Sequence, residues 1–89
     1  MIYKLKGASA NIPTTAANFG SATLIRLVSI ADAHSTVQTI TLTTSADAAI
    51  GSVVMGGGET LYIAKDATDK IAVNSGTNVK GTSVAIWAG

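Results

Sequence analysis

The sequence predicts an all-β fold, a small antiparallel β-sandwich of about seven short strands. Three observations support this prediction: apolar residues alternate with a period of two, turn residues separate the runs, and no Ala-rich segment is long enough for a stable helix. An Ig-like or jelly-roll-like arrangement suits so many short strands, and a small barrel is the alternative. With 89 residues, the chain is expected to form one domain, 1–89.

The predicted strands follow one another along the whole chain. Residues 2–6 form the first, and the β-branched run 22–31 follows after a loop that contains Pro13. Further strands are predicted at 36–44, 49–55, 59–65, 70–74 and 79–88. If each strand buries its more aliphatic face, the core consists of Leu24, Val28, Ile40, Leu42, Leu61, Ile63, Ile71, Val73, Val84 and Ile86.

The glycine run "GGGE" at 56–59 has two interpretations. A phosphate-binding loop needs glycines that lead into a helix N-terminus. Here a strand follows, and no Lys-Ser or Lys-Thr pair is present. We therefore expect a hairpin turn in which glycine adopts a positive φ. The segment "DATD" at 66–69 is predicted as a second hairpin loop, and "NSGTN" at 74–78 as a third turn.

Charge and cysteine content argue against several classes of function. The chain has no cysteine, which removes disulfides and thiolate zinc sites and favours either assembly in the cytoplasm or stabilisation by partner subunits. Charged residues make up 12% of it and the net charge is +1, so neither nucleic acid nor a membrane is expected as a partner. No apolar run has the length of a signal peptide or of a membrane span. So little charge protects poorly against self-association, and we expect other chains to cover part of the surface.

Candidate catalytic and metal-binding residues are few. Asp66 and Asp69, with Asp47, offer carboxylates to calcium, but the ion takes six to eight oxygen ligands, so we expect these residues to cap turns. The single histidine, His34, lies near Asp32 and several serines, but no GxSxG elbow accompanies them. We therefore predict that the chain is not an enzyme and holds no metal and no cofactor.

Three aromatic residues are candidates for contact with other molecules: Tyr3, Tyr62 and Trp87. They are interpreted as a stacking platform for a sugar or a base, as side chains that fill the core, or as anchors of a protein interface, where Tyr and Trp are enriched. If Val84 and Ile86 face the core, alternation turns Trp87 outward; otherwise the strand end lets Trp87 cover the bottom of the sandwich.

Three segments carry a resemblance to a known group: "ATLIRLVSIA" at 22–31, "GGGETLYIAKDATDKIAV" at 56–73 and "VKGTSVAIW" at 79–87. Together they resemble the small virion proteins of tailed marine phages, cyanophages in particular. The resemblance implies a non-enzymatic β-sandwich in the virion, a decoration or cement protein whose partners are the major capsid protein or other virion proteins. The alternative is a small module, associated with a tail or fibre, that binds carbohydrate or a host surface.

Overall fold

The computed structural model describes residues 2–31, 37–74 and 78–87, and within them the chain forms two antiparallel sheets with no helix and no closed barrel. The predicted β-sandwich is confirmed. Its strands are β1 (Ile2–Leu5), β2 (Ala10–Asn11), β3 (Leu24–Ser29), β4 (Val37–Thr43), β5 (Ala49–Gly56), β6 (Thr60–Ala64), β7 (Lys70–Val73) and β8 (Val79–Trp87). All seven predicted strands are present, and the short β2 is an addition.

The two sheets differ in size. In the larger one the order is β1-β8-β3-β6, with β2 pairing β8 beside β1, and in the smaller one it is β5-β4-β7. The long strand β8 organises the larger sheet, because β1 pairs with its C-terminal half while β2 and β3 pair with its N-terminal half. Between β3 and β8, every connection carries the chain from one sheet to the other, except the β4–β5 hairpin, which stays within the smaller sheet.

The "GGGE" and "DATD" segments are therefore not hairpin loops, and that prediction was wrong. β5 pairs with β4 while β6 pairs with β3, so residues 56–59 carry the chain across the sandwich. β6 and β7 likewise lie in different sheets. The local chemistry was predicted correctly, since Gly58 has a φ of 85° and Asp69 N–H donates to the Asp66 carbonyl oxygen over 3.0 Å. Turn residues indicate where a chain bends and do not indicate which strand it joins.

The core lies between the sheets. It is formed by Ile12, Ala22, Ile25, Leu27, Ile40, Met55, Ile71, Val73 and Val79, with Phe19, Leu42, Leu61 and Ile63 packed against it. The predicted face of β3 was wrong: Leu24 and Val28 are only half-buried, while Ile25 and Leu27 are buried. Arg26 could have indicated the correct face, because a solvated Arg26 places its alternate neighbours, Leu24 and Val28, on the outer face as well.

One side of the sandwich is closed by the chain itself. After β2, Ile12 N–H donates to the Val79 carbonyl oxygen in the larger sheet. The chain then runs beside β7 in the smaller sheet, where Ala17 and Ile71 exchange two backbone hydrogen bonds of 3.2 and 2.8 Å. Val73 N–H donates to the Pro13 carbonyl oxygen. Residues 12–17 thus bridge the two sheets and satisfy the outer edge of β7.

Candidate protein-contact surfaces

Two of the three aromatic residues predicted as contacts come together. Tyr3 lies on β1 and Tyr62 on β6, the two outermost strands of the larger sheet, yet their rings stack with centroids 4.6 Å apart and planes 12° from parallel. The two side chains therefore reach across the outer face of the sheet, which is the face turned away from the smaller sheet. A stacked pair contributes about 0.5–1.5 kcal/mol beyond the area that it buries.

Val84 forms a small buried site on that outer face. Ser83 pairs with the core residue Ile25 and shares its face, so the next side chain along β8 points the opposite way. Val84 is nevertheless only 2% exposed and lies outside the cluster between the sheets. We infer that the Tyr3–Tyr62 stack covers it. The prediction that Val84 is buried is confirmed, but it is buried on the face opposite to the one expected.

Exposed apolar side chains surround this site. Ile86 pairs with Tyr3 and Leu5 pairs with Val84, so all four lie on the outer face. Leu5 is 73% exposed and Ile86 57% exposed. The prediction that Ile86 belongs to the core was therefore wrong. We call the surface formed by Tyr3, Leu5, Tyr62 and Ile86 the aromatic patch.

Trp87, the third predicted contact residue, is described through its backbone alone. It pairs with Ile2 at the end of β8, next to the Tyr3–Ile86 pair. Its backbone therefore lies next to that of Ile86, and the two interpretations of its side chain stay predictions.

A second exposed apolar surface runs along β5, on the side of the sandwich opposite to β7. In the smaller sheet β5 pairs only with β4, and within the described residues no strand occupies its outer edge. Ile50, Val53 and Val54 are exposed on this strand. We call β5 with these side chains the open edge. Sequence reasoning identified the strand but missed its exposure, because a run that is apolar on both faces is typical of buried strands.

A cavity of about 220 Å³ opens beside the open edge, between the two sheets. Its walls are almost entirely apolar and are formed by Ile40, Leu42, Gly51, Ser52, Val53 and Ile63. Gly51 explains the cavity: a Cβ built on it meets no atom within 4 Å. The chain therefore leaves a gap in the wall of its own core where a side chain of β5 would otherwise lie.

Two of the three carboxylates considered for calcium, those of Asp69 and Asp47, have structural roles. Asp69 Oδ2 accepts a hydrogen bond from Asp66 N–H over 3.2 Å, which confirms turn capping by Asp69. Asp47 lies in the β4–β5 turn and forms an ion pair with Lys70, with Nζ and Oδ1 2.8 Å apart. In the described ranges, no three His, Asp or Glu side chains come together in an arrangement that suits a metal ion.

Lys65 is the one group whose titration is clearly perturbed among those described. Burial lowers its pKa from the ordinary value of 10.5, because the charged ammonium loses water, while Asp69 and Asp66 act in the opposite direction. Lys65 Nζ donates to the Asp66 carbonyl oxygen over 3.3 Å. The side chain thus anchors the β6–β7 connection.

Two residues considered for catalysis, His34 and Asp32, lie outside the described residues.

A second depression, of about 290 Å³, is open to solvent and is lined by Lys6, Gly7, Ala8, Ala10, Phe19, Gly20 and Ser83. Lys6 is its single charged wall residue, which gives too little chemistry to define a ligand.

No family model, curated protein or solved structure matches the chain. Among the described residues there is no helix long and apolar enough to cross a membrane. What the chain does has to be inferred from its two exposed apolar surfaces and from its sequence.

Proposed function

We propose that the chain is a non-enzymatic structural protein of a phage virion, a decoration protein that binds the head surface and stabilises contacts between major capsid subunits. It would be assembled in the host cytoplasm and reside in the virion. The resemblance of its three sequence segments to virion proteins of tailed phages supports the virion assignment. The aromatic patch is the observation that carries the binding function.

The aromatic patch has the composition of a protein-contact centre. It joins two tyrosines to two exposed aliphatic side chains around the buried Val84, and the exposed Arg26, which pairs with Tyr62, borders it. Aromatic residues are enriched and Lys and Glu depleted at the centres of protein interfaces. Burying a fully exposed Leu or Ile contributes about 1.5–3 kcal/mol, so Leu5 and Ile86 together supply part of the free energy of binding and the rest of the contact supplies the remainder.

Attachment of a decoration protein needs no chemistry beyond this burial. Each copy adds apolar contact area across a joint between capsid subunits, and a shell repeats the joint many times. The small contribution of one copy is therefore multiplied over the particle. The low charge of the chain suits a surface that becomes covered after assembly.

Mass spectrometry of particles purified from the phage that encodes the chain tests the location. We expect the chain at a copy number comparable to that of the major capsid protein. Its absence from washed particles would overturn the proposal. Recovery with the tail or fibre, together with binding to a host-surface glycan, would support the carbohydrate-binding alternative.

Two matched substitutions test the surface. Ile86 and Ile30 are 57% and 54% exposed; Ile86 lies on β8, and Ile30 directly follows the last residue of β3. Ile86→Lys should weaken binding to heads that lack the protein at least ~10-fold, because a buried lysine loses water at the contact centre. Ile30→Lys should leave binding unchanged. Equal effects of the two substitutions would remove the aromatic patch from the contact.

A further inference from the structure

The open edge has the unpaired hydrogen-bonding groups of a sheet that can be extended. β5 has eight residues, Ala49–Gly56, and it is as long as any strand described except β8. In an antiparallel sheet, alternate residues direct their N–H and C=O groups to opposite edges. About half of the backbone groups of β5 therefore point away from β4 and are free to pair with a further strand.

This edge has only one of the features with which proteins prevent edge-to-edge pairing. Such edges are usually short, carry lysine, proline or an inward-pointing charge, or contain a β-bulge. β5 has a bulge near its start, where Leu42 pairs with Gly51 and Thr43 with Ala49, so that Ile50 is left without a partner in β4. The outer strand β1 is short and contains Lys4, and β6 has five residues between Glu59 and Lys65. β5 contains neither a charged residue nor proline. Two such strands can approach without placing like charges opposite each other.

The side chains of β5 are complementary to a second, antiparallel copy of the same strand. The register that is centred on Ser52 places Ser52 opposite Ser52 of the second copy and brings Ile50, the bulged residue of β5, next to Val54 of the second copy. On the inner face it places Gly51 opposite Val53 of the second copy. Paired side chains lie with Cβ atoms about 4.5–5.5 Å apart, so that valine lies beside the gap which Gly51 leaves in the cavity wall.

We propose that the chain forms a symmetric dimer in which β5 pairs antiparallel with β5 of a second copy, centred on Ser52. The smaller sheets join into one six-stranded sheet with the order β7-β4-β5-β5-β4-β7. In this register even-numbered residues pair with even-numbered residues and odd with odd, so the inner faces of both copies lie on the same side of the joined sheet. The dimer is a property of the chain alone and does not depend on binding to heads.

The area of the open edge fits a reversible dimer. The molecule is 19 Å through its thinnest dimension, and an eight-residue strand is about 27 Å long. A side of those dimensions measures roughly 500 Å². Weak specific interfaces bury up to about 600 Å² per partner and standard ones about 800 Å². We expect the dimer to dissociate on dilution.

Charge substitutions at the centre of the interface give the most direct test. Ser52 is exposed and faces its own copy across the two-fold axis, so Ser52→Lys brings two ammonium groups together and Ser52→Glu two carboxylates. Each variant should weaken the dimer at least ~10-fold in sedimentation equilibrium. An equimolar mixture of the two should dimerise again, because it pairs opposite charges. Ser45→Lys, at an exposed serine in the β4–β5 turn, is the control and should dimerise normally.

Crosslinking tests the register independently. Because the natural chain has no cysteine, Ser52→Cys introduces a single thiol. Directly opposed residues have Cα atoms about 4.5–5.5 Å apart, within the range of a disulfide. Mild oxidation should convert Ser52→Cys to a covalent dimer much faster than Ser45→Cys.

Three results would overturn the proposal. A wild-type chain that stays monomeric up to about 1 mM, the weakest association of interest, has no such dimer. If Ser52→Lys, its mixture with Ser52→Glu and the wild type all sediment alike, Ser52 is not at the centre of the interface and any dimer uses another surface. A dimer abolished by Tyr62→Lys and retained by Ser52→Lys assigns the interface to β6. Ile86→Lys should not affect the dimer, so failure here is distinguishable from failure of the head-binding proposal.

Discussion

The two sides of this sandwich end their sheets in opposite ways. On the β7 side, residues 12–17 cross between the sheets, pair with the strand edge and bury Ile12 in the core. On the β5 side no described segment pairs with the edge, and a cavity of about 220 Å³ remains between the sheets. Six residues, 12–17, thus cover the edge of β7, while the longer and more apolar edge of β5 stays uncovered by the described residues. The difference separates the surface that stabilises the monomer from the surface that is left for association.

Truncation of one isoleucine on each side should give the largest contrast. Ile12→Ala on the closed side removes a fully buried side chain and should lower the free energy of unfolding by about 2–5 kcal/mol. Ile50→Ala on the open edge should change it by less than about 1 kcal/mol, because that side chain is half-exposed in the monomer. Urea unfolding at low protein concentration measures both values. Equal losses would mean that the open edge is part of the monomer's core.

Replacing one glycine by alanine on each side should change the stability in opposite directions. A Cβ at Gly81 would lie 2.5 Å from Ile12 Cδ1 and 3.1 Å from Phe19 Cζ, so Gly81→Ala should cost about 1–3 kcal/mol of overpacking. A Cβ at Gly51 meets open space, and Gly51→Ala should stabilise the chain by about 0.4–1 kcal/mol through the unfolded state. If the thermal midpoints of the two variants shift in the same direction, the two glycines do not differ in packing as described.

A hydrogen bond at the crossing on the open side should have a moderate effect. Glu59 Oε1 accepts from Gly56 N–H, and Glu59 N–H donates to the Gly56 carbonyl oxygen, so the side chain closes the turn that leads from β5 to β6. Glu59→Ala should cost about 1 kcal/mol, the usual net contribution of such a bond. Glu59→Gln keeps an acceptor and should lose less. The pair is measured by chemical denaturation, and equal losses would exclude this bond as the cause.

The smallest effect is expected at Lys65 and depends on pH. Its pKa in the fold is lowered by burial, so in the window between that pKa and 10.5 the folded chain binds fewer protons than the unfolded chain. Stability from this group therefore rises with pH through the window and is lowest below the folded pKa, where a charged ammonium is buried. Lys65→Met should remove the rise, as urea midpoints between neutral and alkaline pH would show. An unchanged pH dependence would assign the rise to other groups.

The strand positions and part of the candidate site could be predicted from the sequence. Alternation and turn residues located every long strand, because both are local properties of the chain. Tyr3 and Tyr62 were identified as contact residues for their chemistry, and Arg26 contained enough information to orient β3 correctly. The stack between the two tyrosines was beyond sequence reasoning, since it joins side chains of the first and last strands of a sheet whose strand order is set by long-range pairing.

By itself, the sequence determined that this chain forms short strands, that glycine and aspartate bend it at 56–59 and 66–69, and that little charge protects its surface. Only the tertiary structure decided that those bends cross between sheets, that Val84 is buried on an outer face, and that β5 lies at an edge. The physical reason is that strand formation depends on neighbours in sequence. Strand pairing and burial depend on which distant segments cover each face and each edge, and the residues of one strand do not specify that.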